Sequence, residues 1–239
     1  MILAVKPRGI GIGPAAWVQL QLGMAILSRS AGIRRKVANA ADHAAYFEWK
    51  HENFGNVKDT LTKPALWKQI SARMRASEER WHVLEFGVAF GHATEWWLSH
   101  HDETIIATWD GFDRFTGLPH AWRDLPAGAF SADGQPPDLD DKRITWHVGD
   151  LEDTIGEMEA EHIASGRRLA YFDLDLYDPS KVAWEWIRPH LRPGDILYFD
   201  EAFDADERRL LDESVLPAGS YDYIGATVMN LAIEVRSLR

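Results

Sequence analysis

Val83-Leu84-Glu85-Phe86-Gly87-Val88-Ala89-Phe90-Gly91 decides how this chain is read. An apolar run carries one acid, two spaced glycines follow, and His92-Ala93-Thr94 then opens a helical stretch. The order is strand, tight turn, helix. Glycine at such a turn leaves the backbone open to a ligand, because no Cβ intervenes. The spacing Glu-x-Gly-x-x-x-Gly is not the Gly-x-Gly-x-x-Gly pattern of dinucleotide sites. A carboxylate at the mouth of the turn would repel a pyrophosphate and suits a cationic ligand end.

Beyond residue 80, short apolar runs alternate with helical ones. Strands are expected at Trp81–Phe86, Thr104–Trp109, Ile144–Val148, Leu169–Leu174 and Asp195–Phe199. Ala93–His101, Leu151–Ser165 and Pro179–Leu191 read as helices between them. This alternation implies a parallel sheet covered on both faces. The end differs: Tyr221–Val228 and Asn230–Arg236 are adjacent β-rich runs, read as an antiparallel pair at the sheet edge. Gly117–Asp141, rich in Pro, Gly and Asp, reads as a long ordered loop, and such loops inside compact domains are usually functional. Residues 15–80 read as helices, with apolar spacing at Ala15–Leu27 and Lys68–Arg80 and with Pro64 where a helix would begin. The domain expectation is a helical extension over residues 1–79 and a ligand-binding α/β domain over 80–239.

The chain of 239 residues is 46% apolar, enough for a full core. A formal charge of −11 argues against nucleic acid and against an anionic membrane surface. There is no cysteine, which excludes disulfides, thiolate zinc sites and cysteine nucleophiles. Eleven tryptophans are mostly core, with some available to wall an aromatic or glycosidic pocket. Ile10–Ser28 is apolar but broken by Pro14, Gln19 and Gln21. It reads as an amphipathic helix on the domain or on a second subunit, rather than as a signal or anchor, so a cytoplasmic protein is expected. The Gly9-Ile10-Gly11-Ile12-Gly13 run reads as a flexible start, since no acid-ended second strand follows at the right distance.

In an open parallel sheet, ligands bind beyond the carboxyl ends of the strands. Acids stand there repeatedly: Glu85, then Asp110 and Asp113, Asp150, Asp173 and Asp175, and Asp200 with Glu201. One acid there could be a helix cap; five strands in succession ending this way point to a site. Glu85 suits the amino group of a ligand such as S-adenosylmethionine. Asp110 and Asp113 are placed to accept ribose hydroxyls, and Asp150 to reach an adenine amino group. Asp173 with Asp200 and Glu201 gathers several carboxylates if the fourth and fifth strands are neighbours. Like charges so close need a cation, and oxygen ligands suit Mg²⁺ or Ca²⁺. His100-His101 reads as structural, at a helix end; His120 is a candidate base in the long loop, and His92 opens the helix after the glycine turn.

These motifs together resemble the class I S-adenosylmethionine-dependent methyltransferases, and within them the macrocin O-methyltransferase-like family. The resemblance covers about residues 80 to 205. It rests on Leu84-Glu85-Phe86-Gly87-Val88 with Gly91; on Phe112-Asp113-Arg114-Phe115-Thr116-Gly117-Leu118-Pro119; on Gly149-Asp150-Leu151-Glu152-Asp153-Thr154; on Asp173-Leu174-Asp175-Leu176-Tyr177; and on Pro193-Gly194-Asp195 with Phe199-Asp200-Glu201. It implies an α/β fold with a Rossmann-like, seven-stranded, mainly parallel sheet, an antiparallel C-terminal edge pair and an N-terminal helical extension. It also implies O-methylation of a small hydroxylated acceptor, such as a natural-product sugar or a polyphenol. Glu85, Gly87, Gly91, Asp110, Asp113 and Asp150 would bind the cofactor. Asp173, Asp200 and Glu201 would hold Mg²⁺, with Asp173 also as catalytic acid–base residue. Two departures stand out: Glu201 replaces the usual second aspartate, and Leu176 and Tyr177 stand where related enzymes carry a lysine base. The alternatives are a metal-independent methyltransferase, a non-catalytic nucleotide-binding module and, least favoured by the glycine spacing, a nicotinamide dehydrogenase. A homo-oligomer through the N-terminal helices is expected from their apolar faces.

Overall fold

The computed structural model describes residues 31–158 and 160–239, together with residue 23. The expected helix Ala15–Leu27 and the run Gly9–Gly13 fall essentially outside the described residues. Two compact units divide the chain, Met1–Ala44 and Ala45–Arg239. Helix α1 (Ala31–Phe54) contributes residues 31–44 to the first, and everything below concerns the second.

Helix α2 (Lys63–Ala76) starts where chain chemistry dictates. The Thr62 side chain accepts the Ala65 N–H, and Pro64 stands in the first turn, where its missing N–H costs nothing. The start falls at the expected Pro64 position, ahead of the apolar spacing that sets in at Lys68, because cap chemistry sets it. Strands β1 (Trp81–Phe86), β2 (Ile106–Asp113), β3 (Ile144–Val148), β4 (Arg167–Phe172) and β5 (Ile196–Phe199) follow. Helices α3 (His92–His100), α4 (Leu151–Thr154) and α5 (Tyr177–Ile187) alternate with them. The expected helix Leu151–Ser165 is instead one short α-turn followed by two 3₁₀ turns. Helix α6 (Ala205–Leu210), which no sequence signal announced, precedes β6 (Gly219–Ala226) and β7 (Leu231–Leu238).

Among the described residues the seven strands form one sheet in the order β3-β2-β1-β4-β5-β7-β6. The first five are parallel, and β7 runs antiparallel to both β5 and β6. This is the Rossmann-like sheet expected, antiparallel edge included. Strand alternation sorts the two cores. Leu84, Phe86, Phe112, Phe172 and Phe199 face one layer, which Trp184 and Tyr46 also enter. Val83, Trp109, Tyr171 and Tyr198 face the other, against Leu66, Trp67 and Ile70 of α2 and Trp97 of α3. Neighbouring β4 and β5 bring Asp173 and Asp200 side by side at their carboxyl ends.

Candidate active site

A cleft of about 1190 Å³ opens beyond the carboxyl ends of β1, β2, β4 and β5. Glu85, Gly87 to Phe90, Asp113, Asp150, Asp173, Asp175, Asp200 and Glu201 all line it. Lys63 and Trp67 of α2 line it too, as do Gly117 to His120 and Phe130 of the long loop, although these elements lie far apart in the chain. Phe90 and Phe130 expose aromatic surface, as an open ligand wall requires.

The glycine turn is as tight as its composition predicts. Gly87 has φ +89°, and a Cβ there would lie 1.8 Å from the carbonyl oxygen of Asp173. Gly91 has φ +74°, and a Cβ would press on Pro137 of the long loop at 2.7 Å. Both positions combine a left-handed backbone with a close approach, so only glycine serves. Asp113 holds the turn from β2: its Oδ2 accepts the Val88 and Ala89 N–H groups at 2.8 Å each, and its Oδ1 accepts the Phe115 N–H at 2.6 Å. Its oxygens shape the loop as well as facing the cleft.

Asp110 stands elsewhere. Strand β2 continues to Asp113 instead of ending at Trp109, so the pleat governs both acids. Asp113 reaches the turn, while Asp110 is 2% exposed, does not line the cleft, and lies with His147 Nε2 at 3.0 Å from its Oδ1. Asp150 stands at the N-cap position of α4 at the cleft edge, its side chain making no capping hydrogen bond, and pairs with Arg114 at 2.8 Å.

Glu85 is buried, and its Oε2 accepts the Thr94 hydroxyl of α3 and the Trp109 indole N–H at 2.8 Å. Both donors are neutral. Burial pushes its carboxyl up to about 8, although the two hydrogen bonds pull the other way.

At the ends of β4 and β5 the carboxylates crowd. One oxygen from each of Asp173, Asp175 and Glu201 lies within 4.8 Å of the others, and this is the one such group among the described residues. Asp175 adopts a left-handed backbone, φ +62°, which aspartate tolerates better than most residues. Glu201 Oε2 is buried without a hydrogen-bond partner, and so is Oε1 of the fully buried Glu207, whose Oε2 accepts the Glu201 N–H at 3.1 Å. Burial, then the Asp200 charge, raises Asp173 and Glu201 well above the carboxylate range; the same causes push Asp175 up to about 7. So many carboxyls cannot ionise together without a positive charge among them.

One positive charge comes from a residue that no sequence motif singled out. Lys63 Nζ, at the first turn of α2, lies 2.6 Å from Asp200 Oδ1 and 2.7 Å from Oδ2. Burial works against its charge, but Asp200 and Asp173 outweigh it and hold the ammonium above its usual range. Asp200 also accepts from the Tyr198 hydroxyl at 2.8 Å, and from Tyr171 and Asn230 at 3.3 Å each. A lysine 137 residues upstream of Asp200 could not be assigned from spacing. His120 and His92 line the cleft, both exposed, whereas His101 is buried against the Trp97 carbonyl in the structural role expected.

No family model matches the chain, and no curated protein does. Solved structures do. The chain is similar to the calicheamicin methyltransferase CalS11, at a TM-score of 0.51 and 19% identity over 97% of this chain and 99% of that one. It is similar also to the O-methyltransferase NovP, at a TM-score of 0.51 and 12% identity over 87% of this chain and 100% of that one. At these identities the shared property is the fold, and the sheet order and edge pair described above are those of a Rossmann-like methyltransferase fold.

Proposed function

We propose that the chain is an S-adenosylmethionine-dependent O-methyltransferase acting on a hydroxyl of a small molecule. The observation that carries this reading is Glu85: a buried carboxyl on the cleft wall, beside the glycine turn, with neutral donors alone as its hydrogen-bond partners. A cationic ligand end supplies what that environment lacks. CalS11 and NovP, both described as methyltransferases, support the reading through the shared fold.

The cofactor, when bound, supplies a methyl group on a sulfonium. Glu85 would meet its amino group, the backbone of Gly87 to Gly91 would give it room, and Asp113 and Asp150 would face its ribose and adenine. Asp110 has no part in this arrangement. On the acceptor side, Lys63, Trp67, His120 and Phe130 form a wall of mixed aromatic and cationic character. It suits a hydroxylated ring, such as a natural-product sugar or polyphenol. Transfer to a hydroxyl is a displacement, so the protein's task is to position the oxygen and take its proton. Asp173 is the assigned acceptor of that proton, since burial and its acidic neighbours raise its proton affinity.

The acids also fit a hard divalent cation such as Mg²⁺: they offer oxygen atoms alone, and Glu201 Oε2 is buried without a partner. Such an ion, when bound, lowers the pKa of an acceptor hydroxyl. A second, metal-free reading is favoured by Lys63, which already brings a positive charge to Asp200. Calorimetry with S-adenosylhomocysteine and with NAD tests the reading: uptake of the first and not the second is expected, and the reverse overturns it. Methyl transfer that is equal in chelator and in Mg²⁺ would select the metal-free form.

A further inference from the structure

We infer that Lys63 withdraws Asp200 from cation binding, so that a divalent cation in this protein is held by Asp173, Asp175 and Glu201. The inference deepens the metal-dependent reading above and rests on it.

Asp200 has little capacity to spare. Its two oxygens share the Lys63 ammonium, and Oδ1 also receives Tyr198, Tyr171 and Asn230. It is 4% exposed, so water supplies little in exchange for a lost partner. An ion bound by Asp200 would have to displace the Lys63 ammonium and undo a buried network. The remaining three acids are in the opposite condition. One oxygen of each converges within 4.8 Å, and Glu201, at 9% exposure, carries an Oε2 that has no hydrogen-bond partner. A buried carboxylate oxygen with no donor is costly unless a ligand satisfies it. The left-handed turn at Asp175 brings a second carboxylate from the same loop as Asp173. The protein thus carries two separate positive positions, one an ammonium built into α2 and one for a metal ion.

Mn²⁺, followed by the loss of its free-ion paramagnetic resonance signal, is the probe, with the full chain. Asp175→Asn and Glu201→Gln are each expected to weaken Mn²⁺ binding by about tenfold or more. Lys63→Met combined with Asp200→Asn removes the pair without changing net charge, and should leave the affinity within about threefold. Lys63→Met alone frees a carboxylate and removes a repelling charge, so binding should tighten by roughly tenfold. A tenfold-scale loss in the double variant, unchanged or weaker binding in Lys63→Met, or no loss in Asp175→Asn and Glu201→Gln overturns the inference. Lys63 is partly exposed at a helix start, so the single variant decides the matter if the double one does not fold. S-adenosylhomocysteine uptake, measured on each protein, separates the two ideas. Uptake without Mn²⁺ binding in the unaltered chain sinks the metal assignment alone. Mn²⁺ binding without uptake sinks the methyl-transfer reading and leaves the ligand set standing.

Discussion

The two ends of the sheet carry acids under opposite conditions. Where β4 and β5 begin, Asp195 is fully buried, yet it accepts the Arg168 and Arg192 N–H groups at 3.0 and 2.8 Å and pairs with the Arg168 guanidinium at 3.3 Å. Glu79, before β1, pairs with Arg167 and Arg192. Where the same strands finish, Asp173, Asp175, Asp200 and Glu201 cluster near Lys63, and Glu207 of α6 adds a further buried acid beside Glu201. Acids matched by arginines tie strands together. Acids in excess of their cations raise one another's pKa and are poised for a ligand. Position on a strand therefore says less about an acid's role than the count of positive groups facing it.

The comparison breaks most visibly at Asp173. Asp173→Asn is expected to lower turnover by about 10²–10⁴-fold while S-adenosylhomocysteine still binds, read by steady-state kinetics beside calorimetry. Turnover near that of the unaltered chain would remove Asp173 from the chemistry. At the opposite end, Asp195→Ala leaves the buried Arg168 without its carboxylate, a loss of about 3–5 kcal/mol in chemical denaturation. A loss below about 1 kcal/mol would mean that the Arg168 pair is not structural. Glu85 gives the smallest and most specific effect. Its folded-state pKa, about 8, lies above the unfolded value of 4.5. Between those values the unfolded chain has lost the proton that the folded one keeps, so this group's contribution falls as pH rises through the window. Glu85→Gln should flatten that slope. In the unaltered chain, uptake of the cationic cofactor tail should release up to about one proton near pH 7, visible as a buffer-dependent binding enthalpy. No proton release would place the cofactor's amino group elsewhere.

Much of this architecture was legible in the chain. Strands β1 and β3 fall where apolar runs bounded by turn residues put them, because those signals are local. The antiparallel edge pair was legible for the same reason. Leu151–Ser165 was not, since apolar spacing cannot distinguish one long helix from successive short turns packed under the sheet. Strand β2 ran past its apolar run into Gly111 and Phe112, and this extension separated Asp110 from Asp113.

The sequence by itself determined that glycines follow an acid-ended first strand, that acids recur after the parallel strands, and that the last two strands pair antiparallel. Each is a statement about neighbours in the chain, where composition and period act directly. Tertiary structure alone decided which acids share a cation. Lys63 meets Asp200 because α2 packs on the sheet face that carries Tyr171 and Tyr198, and charges interact through space with no regard for separation along the chain.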